Sequence, residues 1–591
     1  MSLGMVAIIG VLLVVTVTAL APKVGIAPPL LLVGMGFAAA MLPFVEAVTV
    51  PPEWVLAGVL PPLLYSSAVN TPAMEFRRDF RLISAFSVTL VAATAVVIGV
   101  VLTALVPGLP LGIGIALGAI ISPTDAVATA IVRRAGISPR IVTVLEGESM
   151  LNDATALVLL RSAIAAAAVS VSLWQVVADF VWAVVAAIVI GFVVGKLNLL
   201  VRSRINHVTA NVALSLVVPF IAYLPAERLG ASGLVAAVTA GLVTGHGAAS
   251  KLGAEDRLSE RAVWRTVELL LESAVFLLVG LELPALADDL FDRGGSLAQA
   301  LLLAVVAASI AIALRAGFVA WSVWTLSRRN RRHPAVREHL TQMQDQLAEG
   351  QLPQLGNPER NARKEARVRR LSRRSASDGP STEARLGRWQ QLVSRRLADI
   401  DYLAAEQFGW REGVILVAAG MRGAVTIAAA QSLPEGTQSR SLLILAATLV
   451  AVGTLVIQGG TLGWLANRLG LSGRGGDGDP DQWAALQADL AKAAVERLGG
   501  RLEGYAPDMV DRVRERLKRI PGADEDGVFQ PTAETRERSA KYRKLRLALL
   551  EAQREELIAI RDLGTYPSGM LDTALVQLDA EQLGIELLRH E

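Results

Sequence analysis

Hydrophobic residues occur along the chain in blocks of about twenty, separated by short polar segments. An α-helix rises about 1.5 Å per residue, so a block of this length crosses the ~30 Å hydrocarbon core of a bilayer. The pattern predicts thirteen spans, near residues 5–21, 25–44, 54–70, 84–106, 111–132, 142–170, 175–200, 208–224, 230–248, 264–284, 298–326, 411–432 and 441–466. The predicted fold is an all-α polytopic membrane protein with about thirteen transmembrane helices.

Composition agrees with this pattern. Of the 591 residues, 53% are hydrophobic and only 19% are charged, which is too apolar for an ordinary soluble protein. The net charge of +3 gives no indication of nucleic-acid binding. The chain has no cysteine, which excludes disulfides and thiolate metal sites, and its five histidines are scattered without ligand spacing. We therefore expect no metal centre and no cofactor.

Lysine and arginine mark one side of the predicted membrane domain. They follow the odd-numbered spans, whereas loops after the even-numbered spans are nearly free of basic residues. The basic residues concerned are Lys23, Arg77, Arg78, Arg81, Arg133, Arg134, Arg140, Arg202, Arg204, Lys251, Arg257, Arg261, Arg328, Arg329, Arg331, Arg332, Arg468 and Arg474. Because basic loops stay in the cytoplasm, we expect the N-terminus outside the cell membrane and the C-terminus in the cytoplasm.

The chain divides into four parts. Spans 1 to 11 form a membrane core over residues 1–326, and spans 12 and 13 complete it over residues 411–470. Between them, residues 327–410 are a basic cytoplasmic insertion, expected to be a solvated linker that touches anionic lipid head groups. Residues 471–591 show amphipathic helical periodicity, which predicts a cytoplasmic helical regulatory region.

A first group of polar residues interrupts span 5, in "ISPTDAVATA". A charge at the centre of a bilayer costs at least ~2.5–3.5 kcal/mol, so Asp125 should face protein or water. Pro123 lacks an N–H and breaks the incoming helix, while Ser122, Thr124 and Asp125 can cap the helix that restarts. Many transporters hold a cation with such a discontinuous helix, whose exposed carbonyls and carboxylate lie at membrane depth. The alternative is a proline kink in which Asp125 is only a structural cap.

A second group lies in span 6, in "GESMLNDATALVLL". On a helix, Glu148 and Asn152 share one face, and Asp153 lies ~100° around from Asn152. A buried carboxylate needs a cation, and the membrane core offers two arginines to Glu148, Arg315 and Arg422. Asp153 has no obvious permanent partner. Such a carboxylate can exchange a proton for a metal cation near neutral pH.

Three motifs together resemble the sodium/proton exchanger family of monovalent cation:proton antiporters, in its bacterial Asn-Asp branch. They are the two motifs above and "GMRGAVTIAAAQSLP", and they occur in the order typical of the family. The likeness of "PTDAVATA" to "MRGAVTIA" suggests inverted repeats with crossed discontinuous helices, the second broken near 420–426. The resemblance implies a homodimeric secondary antiporter, not an enzyme, that exchanges one monovalent cation for one proton by alternating access.

The resemblance also implies roles for individual residues. Asp153 carries the cation or the proton, Asn152 stabilises the crossed broken helices, and Asp125 helps to organise the site. The backbone oxygen of Thr124 and the hydroxyl of Ser149 are implied ligands. The transported substrates are then Na+ or K+ and H+.

Two further positions follow from the resemblance. The family pairs the Glu of "GES" with the Arg of "GMRG", which joins Glu148 to Arg422 and leaves Arg315 as a second candidate. Some relatives place an acidic ligand where "PPLLYSSAVN" has Ser66. This departure leaves ligand number and ion choice open, with Na+ favoured and a K+/H+ antiporter as the alternative.

Other functional classes are less consistent with these residues. A cation channel would use the same acids, but no re-entrant loop or ring-forming filter segment is evident. An intramembrane hydrolase would need a nucleophile motif with a partner base, which the sequence does not contain. An ion sensor that signals through the cytoplasmic tail stays open as an alternative.

Overall fold

The structure, a computed structural model, describes residues 3–24, 27–42, 51–168, 173–292, 295–330, 333–348, 382–405, 408–473, 480–498 and 533–587. In these residues the regular secondary structure is helical, and the predicted all-α membrane fold is confirmed. The most basic part of the insertion, residues 349–381, lies outside the described residues, as do residues 499–532 of the tail.

The helices are numbered in chain order. The first half of the chain contains α1 (Leu3–Val24), α2 (Pro28–Ala40), a π-helical segment (Trp54–Val59) leading into α3 (Leu60–Asn70), α4 (Ala73–Ser84), a π-helical segment (Ala85–Leu90) leading into α5 (Val91–Leu105), α6 (Leu111–Ile121), α7 (Ala126–Arg134), α8 (Pro139–Ala168), α9 (Leu173–Arg202), α10 (Val208–Arg228), α11 (Gly233–Lys251) and α12 (Ala254–Asp292). The second half contains α13 (Leu297–Asn330), α14 (His333–Ala348), α15 (Thr382–Ala405), α16 (Trp410–Ala418), α17 (Ala424–Gln431), α18 (Arg440–Thr454), a π-helical segment (Leu455–Gly459), α19 (Gly460–Arg468), α20 (Pro480–Leu498), α21 (Ala533–Leu563) and α22 (Ser568–Leu587).

Each predicted span coincides with a helix or with two consecutive helices. Within the described residues, nine segments are long and apolar enough to cross a membrane, and the first three spans form shorter apolar helices. Span 4 begins earlier than predicted, at Ala73 instead of 84. The polar first turns of α4 are buried against protein, where Asp79 accepts hydrogen bonds from Nε of Arg140 at 2.8 Å and Nη2 at 2.6 Å. A hydropathy pattern does not predict that these polar turns belong to the span, because their burial depends on a partner from another helix.

Two spans are interrupted, as the sequence predicts. The first break, residues 122–125, separates α6 from α7, and the second, residues 419–423, separates α16 from α17. The breaks cross each other, since the backbone N–H of Asp125 donates to the carbonyl oxygen of Met421 at 2.8 Å. Both breaks therefore place unpaired helix ends inside the membrane domain.

The membrane helices pack in two groups. In one group α6 lies against α5 and α8, while α13 packs on α5 and α18; in the other, α11 contacts α3, α9 and α10, and α2 packs along α12. Small residues permit the close approach within each group. Gly118 shows this, because a Cβ there would overlap the carbonyl oxygen of Ala95 on α5. The two groups meet along α3, α7, α8, α11 and α12, where the cavity described below is located.

The tail helices form a small core of their own and contact the membrane domain. Leu486, Leu550 and Leu571 of α20, α21 and α22 pack together, with Ala249 of α11 at the edge of the same cluster. The two carboxylate oxygens of Asp579 on α22 accept from Arg257 on α12, with Nε to Oδ2 at 2.9 Å. Both side chains of this pair are buried, so the tail is anchored to the basic end of α12.

Candidate cation and proton site

Two charged side chains lie at the crossed breaks. The carboxylate of Asp125 lies at helix N-termini, which are partly positive, and the guanidinium of Arg422 lies at helix C-termini, which are partly negative. Asp125 is the N-cap residue of α7, and Gly423 is the N-cap residue of α17. A Cβ on Gly423 would overlap the carboxyl group of Asp125, so this carboxylate lies at the start of both half-helices. Helix N-termini carry partial positive charge, which stabilises a carboxylate that has no cationic side chain beside it.

Arg422 lies at the C-terminal ends of α6 and α16, the helices that precede the two breaks. Its Nε donates to the carbonyl oxygen of Ile121, the last residue of α6, at 2.9 Å, and its Nη1 donates to the carbonyl oxygen of Gly420, just after α16. The side chain is 2% exposed, so these carbonyls have no access to bulk water. The guanidinium therefore compensates the partial negative charge of two helix C-termini at the crossing.

The predicted ion pair between Glu148 and Arg422 is wrong, and Arg315 on α13 takes the place of Arg422. Both carboxylate oxygens of Glu148 accept from the guanidinium of Arg315, with Oε2 to Nη2 at 2.9 Å. Nε of Arg315 also donates to the carbonyl oxygen of Leu416 in α16 at 2.7 Å. Arg422 is unsuited to this pair because its donors are directed to the backbone carbonyls of the crossing.

Thr124 links the first break to α8. Its hydroxyl donates to Oε1 of Glu148 at 3.2 Å and accepts from Nδ2 of Asn152 at 2.8 Å. Its carbonyl oxygen accepts from the hydroxyl of Ser149 at 3.0 Å. The structure thus brings together the predicted residues Thr124, Glu148, Ser149 and Asn152. The Thr124 carbonyl and the Ser149 hydroxyl bond to each other, and each keeps a lone pair that a cation can use.

Asp153 differs from these residues in its surroundings. It is 6% exposed, and it makes no hydrogen bond or ion pair with any residue that the structure describes. Its carboxyl group is close enough to that of Asp125 for the two to interact electrostatically. Oδ2 of Asp125 and Oδ1 of Asn152 are likewise buried without hydrogen-bond partners in the described part of the chain. A cluster of oxygen acceptors with unsatisfied lone pairs is the ligand type that hard cations prefer.

Ser66 lies on α3 and is directed toward α12. Its hydroxyl donates to Oε2 of Glu268 at 3.3 Å. Glu272 follows one turn later on the same helix and interacts electrostatically with Asp125. The four-residue spacing of these glutamates is visible in the sequence, but their proximity to the first break is not. They are the polar residues near the site to which sequence reasoning assigned no binding role.

A cavity of about 1060 Å³ lies between the two helix groups. Its lining includes Ala126, Thr129 and Glu272, with further residues of α3, α7, α11 and α12. Several arginines also line it, among them Arg561 of the tail, and the tail adds Asp572. Because Ala126 directly follows Asp125, the cavity reaches the residue next to the first break.

Three comparisons place this architecture among known proteins. A Mycobacterium bovis protein whose name is "Uncharacterized Na(+)/H(+) exchanger" is 28% identical over 605 residues, covering 98% of this chain and 96% of that protein. The "Sodium, potassium, lithium and rubidium/H(+) antiporter" of Bacillus pumilus is 31% identical over 274 residues, covering 45% of this chain and 41% of that protein. The fold resembles that of the sodium proton antiporter MjNhaP1 from Methanocaldococcus jannaschii, with a TM-score of 0.51 and 16% identity over 79% of this chain and 97% of that one.

The transmembrane sodium/hydrogen exchanger family model matches residues 9–337 and 391–468. The match includes both broken helices, the α8 carboxylates and Arg315, and it leaves out the tail helices and the middle of the insertion. The protein is therefore a multi-pass membrane protein that belongs to the sodium/hydrogen exchanger family.

Proposed function

We propose that the protein exchanges Na+ for H+ across the cell membrane, with Asp153 as the group that carries either ion. The observation that supports this proposal is the buried, unpartnered carboxylate of Asp153 beside Asp125 and the crossed breaks. A carboxylate without a permanent cation cannot stay charged and dry, so it binds a proton or a metal cation. Competition between the two ions at one group couples their movement and gives one cation per proton, which is electroneutral.

The surrounding residues have separate roles in this proposal. Asp153, Asp125, Ser149 and Thr124 supply oxygen ligands, and the amide of Asn152 holds α8 to the first break through Thr124. The charge of Glu148 is neutralised by Arg315, so this acid stabilises the fold and does not compete for the cation. The acid that stabilises the fold and the acid that carries the ion are therefore separate carboxylates.

Access to the site requires that it open to each side of the membrane in turn. The cavity is lined by Ala126, next to the first break, and by arginines of the side that we expect, from the loop charges, to be cytoplasmic. The packing in two groups, which meet at the cavity, suits a movement of one group against the other that would close this side and open the opposite one. The family resemblance also implies a homodimer, in which one of the two helix groups would form the subunit interface.

The identity of the cation is a separate question. The Bacillus pumilus relative is named for transport of sodium, potassium, lithium and rubidium, so a K+/H+ exchanger is the alternative to Na+. Ser66 is relevant to the choice between Na+ and K+, because it places a neutral hydroxyl where some relatives have an acidic ligand. Its hydroxyl donates to Glu268.

The experiment measures cation-dependent dequenching of a pH-sensitive dye in everted membrane vesicles, with Na+, K+ and Li+ added in turn. We expect the wild-type protein to exchange and Asp153→Asn to be inactive, because an amide cannot carry a proton at this step. Asp292→Asn, at the end of α12 and exposed, is the matched control and should exchange as the wild type does. Full exchange by Asp153→Asn would disprove the carrier assignment.

Two further outcomes separate the rival classes. Passive cation flux into proteoliposomes without proton movement would identify a channel. Normal exchange after removal of residues 480–591, with loss of a cellular response to the ion, would identify a sensor that signals through the tail.

The stoichiometry is tested separately. An exchange rate that is unchanged by an imposed membrane potential would support one cation per proton.

A further inference from the structure

Two glutamates on α12 line the cavity: Glu268 has two arginines nearby, whereas Glu272 has no ion pair among the described residues. Glu268 and Glu272 are four residues apart, so they lie on one face of the helix about 6 Å apart along its axis, and both line the cavity. Glu268 accepts one hydrogen bond, from Ser66. Glu272 has neither a hydrogen bond nor an ion pair with any residue in the described ranges, and the charged groups that act on it are the carboxylates of Asp125 and Glu268. Its carboxylate is therefore free to bind an ion that enters the cavity.

The opposite wall supplies a neutral oxygen. Ala126, Thr129, Ala130 and Arg133 line the cavity at the spacing of one face of α7. Thr129 is 5% exposed, and its hydroxyl oxygen is buried with no hydrogen-bond partner among the described residues. A buried hydroxyl without a protein partner is costly unless a water or a ligand satisfies it.

Along α7 and α12, arginines are followed by carboxylates toward the first break. Arg133, on the turn of α7 far from Asp125, forms an ion pair with Glu146. Arg265 lies one turn before Glu268 and about 10 Å before Glu272 along α12. The part of the cavity next to the first break therefore combines the carboxylates of Glu268 and Glu272 with that of Asp125, which interacts electrostatically with Glu272. Such an arrangement attracts a cation toward the first break.

We propose that Glu268, Glu272 and Thr129 form a second monovalent-cation subsite in the cavity, one helical turn from Asp125. This inference rests on the proposed function and adds the step by which the cation reaches Asp153 from the cytoplasm. The subsite holds a partly hydrated Na+ on oxygen ligands and raises its concentration beside the crossed breaks. A divalent ion such as Ca2+ is disfavoured, because it requires six to eight oxygen ligands in a closed shell.

The first test is steady-state exchange in proteoliposomes, with Na+ varied on the side toward which the cavity opens. We expect Glu272→Gln to raise the apparent KM for Na+ about tenfold and to leave the maximal rate nearly unchanged, because one attracting charge is lost but the carrier stays. Thr129→Val should raise KM less, and Thr129→Ser should restore it. Glu255→Gln, in the exposed first turn of the same helix, is the control and should match the wild type.

The second test does not depend on transport. Equilibrium binding of radioactive Na+ to the purified full-length protein is measured in the Asp153→Asn background and in Asp153→Asn/Glu272→Gln. Retained binding in the single variant and its loss in the double variant are the expected results. Equal binding in the two variants, or an unchanged KM in Glu272→Gln while the wild type exchanges, would overturn the subsite and leave the proposed function intact. Absence of exchange by the wild type would reject the proposed function, and the binding comparison would still decide on the subsite.

Discussion

The ion pair between Glu148 and Arg315 predicts a large difference between single and double replacements. Arg315→Met preserves much of the side-chain volume but removes the charge, both hydrogen bonds to Glu148 and the one to the carbonyl oxygen of Leu416. Both side chains are 2% exposed, so water cannot replace the lost partner. Removing one member of such a buried pair costs about 3–5 kcal/mol.

The double variant Glu148→Gln/Arg315→Met removes both charges, so neither is left uncompensated. We expect it to recover most of the stability lost in Arg315→Met, because a neutral pair of similar volume leaves no uncompensated buried charge. Glu148→Gln/Arg422→Met should show no such recovery. Arg422 donates to the carbonyl oxygens of Ile121 and Gly420, so its loss adds a second defect.

The assay is thermal unfolding of the purified protein in detergent, followed by fluorescence-detected size-exclusion chromatography. Arg337→Met provides the control, because Arg337 and Asp401 form an ion pair in which both side chains are more than half exposed. Its melting curve should coincide with that of the wild type. The reasoning fails if Arg315→Met also melts with the wild type, or if Glu148 couples to Arg422 and not to Arg315.

Two other predictions follow from the breaks and from the tail. Gly423→Ala should abolish exchange and lower expression, because its Cβ would overlap the carboxyl group of Asp125; Gly453→Ala, with no atom near its Cβ, should be tolerated in the same vesicle assay. Burial raises the pKa of Asp572, with two nearby arginines opposing the shift. The docked tail therefore binds this proton more tightly than the undocked tail, so docking should weaken as the pH rises through the pKa of the docked state. Hydrogen exchange of residues 568–587 should increase over that pH range in the wild type and stay constant in Asp572→Asn.

The positions of the helices and of the first break could be predicted from the sequence, because each depends on local features. A run of about twenty apolar residues is long enough to span a bilayer whatever its neighbours are. Pro123 interrupts a helix by the loss of one N–H, and Asp125 caps the next helix from its own position. The motif around Asp153 was identified in the same way, since its residue types and spacing lie within two turns of one helix.

The partners of the buried charges could not be predicted, because they depend on where separate helices cross. Glu148 had two arginines available in the sequence, and both are buried close to the crossed breaks. The selection of Arg315 follows from the direction of α13, which brings its guanidinium to Glu148 and to the carbonyl oxygen of Leu416. The family resemblance favoured Arg422, whose donors are used by the helix ends.

The sequence by itself determined the class of protein, the order of its spans and the carboxylates placed at membrane depth, because burying charge in lipid is costly wherever it occurs. Only the tertiary structure decided which of these carboxylates is neutralised and which is left for an ion. Glu148 binds a guanidinium from 167 residues away in the chain, whereas the charged group that acts on Asp153 is Asp125, a second carboxylate. The physical reason is that the free energy of a buried charge depends on the groups within a few ångströms of it, and those groups come from helices distant in the chain.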